Sequence, residues 1–274
     1  MALAVDSTAH KVATVGASDP YTWSHTCNAA ANVLLILFSA GQSILNERTV
    51  GSASYNSVAA SSVAAADDTI FEASSIWVKT SPSSGSNTVS VSMVAHNASD
   101  RQAAGYSISF TGAQTTLGAS GTTNGTGSNP STGAISTNVG DILVAVLASD
   151  FSNTNTVTSP GVLIFSDSNV NADSDFSAQY VVATGSTTTA SWTAGSDGVQ
   201  GHAVAYVVVQ QAAATDATGV EWLGYTAMPP PPPPHRLHQG MLAHTPIPIA
   251  DPRIPQGFPV HSSGFYRRTR LLSS

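Results

Sequence analysis

Asn32-Val33-Leu34-Leu35-Ile36-Leu37-Phe38, closed by Ser39-Ala40-Gly41, is the stretch on which the fold turns. Its apolar run is too short for a helix of ordinary length, and a glycine ends it, so it reads as a strand buried on both faces. Working outward, Ile76-Trp77-Val78 is a second short apolar run, and Pro82-Ser83-Ser84-Gly85-Ser86-Asn87 after it reads as a turn. Thr88-Val89-Ser90-Val91-Ser92-Met93 alternates strictly, placing Val89, Val91 and Met93 on one face and hydroxyls on the other. Tyr106, Ile108 and Phe110 repeat that alternation, while residues 118–133, rich in Gly, Thr, Ser and Asn, read as a surface loop.

The second half of the chain resembles the first. Residues 32–38 line up with Asp141-Ile142-Leu143-Val144-Ala145-Val146-Leu147. Ser74, Trp77 and Val78 line up with Ser177, Tyr180 and Val181, residues 88–93 with 188–193, and residues 106–110 with the region 203–209. Two readings follow: a duplicated half-sandwich, or two halves that obey the same strand grammar. Both give an all-β, antiparallel two-sheet sandwich of jelly-roll type, with its loops gathered at the ends. The expected division is a body over residues 1–212, with related halves near 10–110 and 111–212. A linker over 213–227 and an extended Pro-rich arm over 228–274 complete it.

Composition agrees with this class. Only 9% of the 274 residues are charged, against a usual quarter, while 42% are apolar. Ser and Thr make up about a quarter. These values exclude a charged coiled coil and argue against a disordered chain. The charge is also unevenly spread. Residues 1–227 carry four bases and fifteen acids, 4 − 15 = −11, and residues 228–274 carry five bases and one acid, 5 − 1 = +4. An acidic body is a poor partner for nucleic acid, whose affinity rests on neutralised phosphates. A short basic tail can seek an acidic surface, including a neighbouring copy of the same body.

A single cysteine, Cys27, excludes an intrachain disulfide and suits a reducing cytoplasm. The N-terminus lacks the basic region and apolar core of a signal peptide, and the longest apolar run falls far short of a membrane span. No membrane partner is expected.

The tail has a different composition. Eleven of the fifteen prolines follow Met228, beginning with the run 229–234. Polyproline II segments make no internal hydrogen bonds and form no core alone. Leu237, Met241, Leu242, Ile247, Ile249, Ile254, Phe258, Phe265 and Tyr266 are spaced along the tail as apolar anchors, and Arg267, Arg268 and Arg270 form a basic end. A stiff strip of this kind suits a groove on another subunit, because little entropy is left to lose on binding. Trp222 and Tyr225 would pin its root to the body.

The sharpest chemical constellation is Asp167-Ser168-Asn169-Val170-Asn171-Ala172-Asp173-Ser174-Asp175. Asp167, Asn169, Asn171, Asp173 and Asp175 alternate as the oxygen ligands of a calcium loop do, and a calcium ion there would be structural. Ala172 and Ala178 stand where such a loop wants Gly and a closing Glu; the other reading is an acidic β-turn between Phe165 and Phe176. No cofactor is otherwise expected. There is no Gly-x-Ser-x-Gly, and His10, His25, His96 and His202 have no metal-ligand spacing. His25 and Cys27 share a face of one strand; the reading is a buried thiol beside a hydrogen-bonded imidazole. Asp67, Asp68 and Glu72 supply carboxylates such as a glycosidase needs, but read as a wet loop. Trp23, Trp77 and Trp192 read as core and not as a sugar platform.

The order Trp23-Ser24-His25-Thr26, the run 32–38, Ser54-Tyr55-Asn56-Ser57-Val58-Ala59, Ile76-Trp77-Val78, the Pro82/Gly85 turn into Thr88-Val89-Ser90-Val91, and Phe110-Thr111-Gly112-Ala113 resembles a known group. These are Ser/Thr-rich, jelly-roll-like β-sandwich proteins encoded by tailed phages and environmental bacteria. The resemblance covers about residues 10–210; Asn56-Ser57 stands where Asn-Gly is expected. It implies a virion structural protein without cofactor, assembled in the host cytoplasm. The expectation is a non-enzymatic capsid decoration (cement) protein. Its partners would be its own copies, as a trimer, and other virion proteins such as a major capsid protein. The alternatives are a tail or fibre subunit, and a sandwich that binds glycan through its end loops.

Overall fold

The computed structural model describes residues 2–15, 19–41, 50–67, 72–93, 102–127, 129–150, 155–170, 174–193 and 201–213. The chain divides into units 1–220 and 221–274, and the second lies wholly outside the described residues.

The described chain is all-β and antiparallel. Its first half holds β1 (Ala4–Val15), β2 (Tyr21–Cys27), β3 (Ala31–Gly41), β4 (Val50–Tyr55), β5 (Val58–Ala59), β6 (Ser61–Asp67), β7 (Glu72–Thr80), β8 (Gly85–Met93) and β9 (Gln102–Thr111). The second holds β10 (Ser120–Gly125), β11 (Ile135–Ser136), β12 (Ile142–Ser149), β13 (Thr156–Val157), β14 (Val162–Val170), β15 (Ser174–Val182), β16 (Thr187–Thr188), β17 (Trp192–Thr193) and β18 (His202–Val209).

Strand order repeats between the halves. The first five-stranded sheet runs β1-β9-β3-β7-β6 and the second β10-β18-β12-β15-β14, the same order with each strand replaced by its counterpart. The first half's other sheet, β2-β8-β4-β5, is matched by two ribbons, β11-β16 and β13-β17, in which β16 and β17 together occupy the place of β8.

Each half is therefore a two-sheet sandwich, and the two large sheets pack face to face to give four layers. Val33, Leu35, Leu37, Tyr106, Ile108 and Phe110 meet Ile142, Val144, Val146, Phe176 and Val207 in the shared central core. Leu34, Ile36 and Phe38 point the other way, onto Tyr21, Trp23, Tyr55, Val89 and Val91. Leu143, Ala145, Leu147, Val181 and Val204 likewise point outward, onto Ile135, Ala190 and Trp192. This explains the continuous apolar runs: β3 and β12 are the middle strands of inner sheets and have no solvent face. Each fully buried Leu or Ile contributes about 1.5–3 kcal/mol. Gly105 of β9 lies under the Trp23 ring, where a Cβ would sit 2.5 Å from Cζ3, so only glycine lets the indole lie flat on the sheet.

Two details differ from the sequence reading. Residues 118–133 are not all loop, because β10 lies within them as the edge strand paired with β18. Edge position accounts for its Ser, Gly and Thr, which a buried strand would replace with larger apolar side chains. The alignment of β7 with β15 is also off by one residue. Ser75 pairs with Phe38 and Ser177 with Leu147, both on outward faces, so Ser75 and not Ser74 is the counterpart of Ser177.

Candidate functional site

Strand pairing gathers the long connections at one end of the molecule. Gly41 pairs with Glu72 and Gln102, and Val50 with Met93, so the first half's strands end together there. In the second half Ser149 pairs with Asp175 and His202, and Val170 with Ser174. Ser174 Oγ donates to Glu72 Oε1 at 2.7 Å across the seam between the halves, which places both sets of strand ends on the same side. The opposite end is closed by short turns. There Asn32 bonds both backbone groups of Ala113, and Asp141 accepts from the N–H groups of Asn138 and Gln211 at 2.8 and 3.2 Å.

The loop end is acidic. Asp19, Asp67, Glu72, Asp150 and Asp175 belong to it, with Asp19 accepting the Met93 N–H at 3.1 Å. The three carboxylates considered together in the sequence are not alike: Asp67 is exposed, Glu72 is wholly buried, and Asp68 lies outside the described residues. A cavity of about 200 Å³ opens there, lined by Val50, Ala65, Ala66, Asp67, Ala73, Ser74 and Ser75. That is below the size that encloses a drug-sized ligand.

The strand register places two of the five residues of the calcium-loop reading of 167–175. Asp167 lies in β14 opposite Phe176, whose ring is in the central core, whereas Asp175 lies in β15 opposite Ser149, on the outward face. These two of the five candidate ligands thus sit at positions of opposite facing in one sheet. Asn169 is in β14, and Asn171 and Asp173 lie outside the described residues. No group of three or more His, Cys, Asp or Glu side chains with metal-binding geometry occurs among the described residues. The arm residues Leu237, Met241, Leu242, Ile247, Ile249, Ile254, Phe258, Phe265, Tyr266, Arg267, Arg268 and Arg270 also lie outside the described residues.

His25 stands at the centre of the longest described side-chain relay. β2 alternates strictly, with Tyr21, Trp23, His25 and Cys27 buried. Trp23 Nε1–H donates to Ser107 Oγ at 2.9 Å, which leaves the Ser107 proton for His25 Nδ1 at 2.8 Å. Nδ1 is then the acceptor and the ring's single N–H is on Nε2, which faces Ser109 Oγ at 3.0 Å and Ser7 Oγ at 3.1 Å. Ser109 in turn donates to Asp6 Oδ2 at 2.8 Å. Burial lowers the imidazole from 6.5 to about 4, partly opposed by the Asp6 charge. For Asp6, burial acts to raise the pKa; the Asn28 N–H, Ser109 and the Asn28 side chain outweigh it, and the carboxyl ends below its ordinary value.

Serine, histidine and aspartate meet here, with His25, Ser107 and Ser109 buried and Asp6 and Ser7 partly exposed. His25 is 1% exposed, and both of its nitrogens are committed to serines that have other partners. The arrangement fixes one tautomer and pins β1 and β9 to β2. Burial also raises the Cys27 thiol, so it is less reactive than an open cysteine. Trp192 is fully buried, with Nε1–H on Ser177 Oγ at 3.0 Å, and Trp23 is 8% exposed, so neither offers a face to a sugar.

No protein-family model, no curated protein and no solved structure matches this chain.

Proposed function

We propose that the protein is a non-enzymatic structural component of a phage particle, a capsid decoration protein. In this reading the four-layer sandwich is the outer body, and residues 228–274 run over neighbouring subunits. The observation that carries the reading is the division of charge between a body at −11 and a Pro-rich segment at +4. Complementary charge on two parts of one chain favours association between copies, because each arm meets an acidic body. The Ser/Thr-rich, antiparallel β-sandwich fits the same assignment. So does the use of His25, Ser107, Ser109 and Asp6 to hold strands together instead of facing a cleft.

The test is re-binding to particles stripped of this protein. Full-length chain is expected to return to the particles, and a chain ending at residue 227 is expected to stay in the supernatant while keeping its β-sheet spectrum. Equal binding of the two forms would contradict the role given to the arm.

A further inference from the structure

The two halves treat one equivalent serine differently. In the first half a row across the sheet runs Gly105 of β9, Phe38 of β3, Ser75 of β7 and Ala65 of β6. In the second it runs Val204 of β18, Leu147 of β12, Ser177 of β15 and Ser166 of β14. Over Ser177 stands Trp192, paired with Val157 of β13, and its Nε1–H donates to Ser177 Oγ at 3.0 Å. Ser75 has no such cover. The buried side chains of β8 are Val89, Val91 and Met93, none of which carries a hydrogen-bond donor. Trp77, two residues along β7 on the same face, does not bond it either. Ser75 is 3% exposed, and its Oγ has no hydrogen-bond partner among the described residues.

The cavity of about 200 Å³ at the loop end stands at this serine. Ala65, Ala73 and Ser75 line it from the outward face of β6 and β7, and Val50 lines it from β4 in the outer sheet. It therefore lies between β4 and β7 as Trp192 lies between β13 and β15. An apolar cavity of about 150 Å³ already admits benzene, so a fused two-ring aromatic fits in this one. Ser75 adds a polar requirement, because a buried hydroxyl without a partner costs free energy that a donor on the ligand recovers. Asp67, exposed and also on the lining, selects against an anionic ring. We infer that the cavity binds a small, uncharged planar aromatic of the indole class. Its N–H is directed to Ser75 Oγ as Trp192 directs its own to Ser177. This site stands independently of the particle assignment.

The test titrates the full-length chain calorimetrically with indole and with indene, which has the same shape and no N–H. One indole per chain is expected, bound saturably and with a rise in Tm, and indene should bind more weakly. Ser75→Ala should weaken indole by about three- to tenfold, the worth of one neutral hydrogen bond, and leave indene unchanged. Ala65→Phe, at an exposed position, should fill the cavity and abolish binding of both while keeping the sheet spectrum. The inference is overturned if the wild type takes up no indole, or takes it up only in proportion to its concentration. It is equally overturned if Ser75→Ala keeps the full preference for indole over indene, or if folded Ala65→Phe binds as the wild type does. Should Ala65→Phe lose its sheet spectrum, the Ser75→Ala comparison decides alone.

Discussion

His25 shows how a constellation with catalytic ingredients becomes a structural one. Its ring is enclosed, its tautomer is set by Trp23 through Ser107, and burial holds it neutral with a value of about 4. The unfolded chain, with imidazole near 6.5, takes up a proton between pH 6.5 and 4 that the folded chain refuses. Stability from this residue is therefore complete above pH 6.5 and declines as pH falls toward 4, by at most about 3 kcal/mol. Urea unfolding of the wild type from pH 7 down to 4.5 should show that slope, and His25→Gln, less stable at pH 7, should lose most of it. A wild type of constant stability across that range would contradict the assignment. The sequence anticipated this pocket, since Trp23, His25 and Cys27 at alternate positions must share a face. It could not supply Ser107, Ser109 and Asp6, which reach His25 through pairing between strands far apart in the chain.

Single elements differ in how openly the sequence declares them. β3 and β12 were legible because a middle strand of an inner sheet is apolar on both faces. β10 was not, because an edge strand of Ser, Gly, Thr and Asn has the composition of a loop, and only its ladder to β18 makes it a strand. β15 was recognised but slipped by one residue against β7; with side chains alternating, that slip exchanges its two faces. The tether positions fared better. Asn32 and Asp141, aligned from sequence, do the same work at the turn end, each holding the backbone that follows a strand of its own half's inner sheet. The β4–β5 hairpin carries a prediction. Asn56 and Ser57 have φ of 51° and 61°, both left-handed, the two-residue turn for which Asn-Gly is preferred. Ser57→Gly is expected to raise stability by about 0.5–1 kcal/mol, and Ser57→Val to lower it, as read from thermal melts. A destabilised glycine variant would contradict the turn assignment.

At the scale of the whole molecule, two sandwiches share one central core, and their long connections leave from one end. Sequence alignment pointed to repeated strands; the four-layer packing depended on which faces of β3 and β12 meet, and periodicity does not reveal that for strands buried on both sides. The row that ends at Ser75 was invisible for a related reason. Gly105, Phe38 and Ser75 are scattered along the chain and become neighbours only through the β9-β3-β7 order. The same architecture frames the functional account: a body that buries the histidine of its relay, and a Pro-rich segment of opposite charge. The most direct measurement is to band purified native particles on a density gradient and quantify this chain by mass spectrometry. The decoration reading predicts that it co-sediments at hundreds of copies per particle. Complete absence from the particles would contradict it, and a handful of copies would move the protein to the tail or fibre.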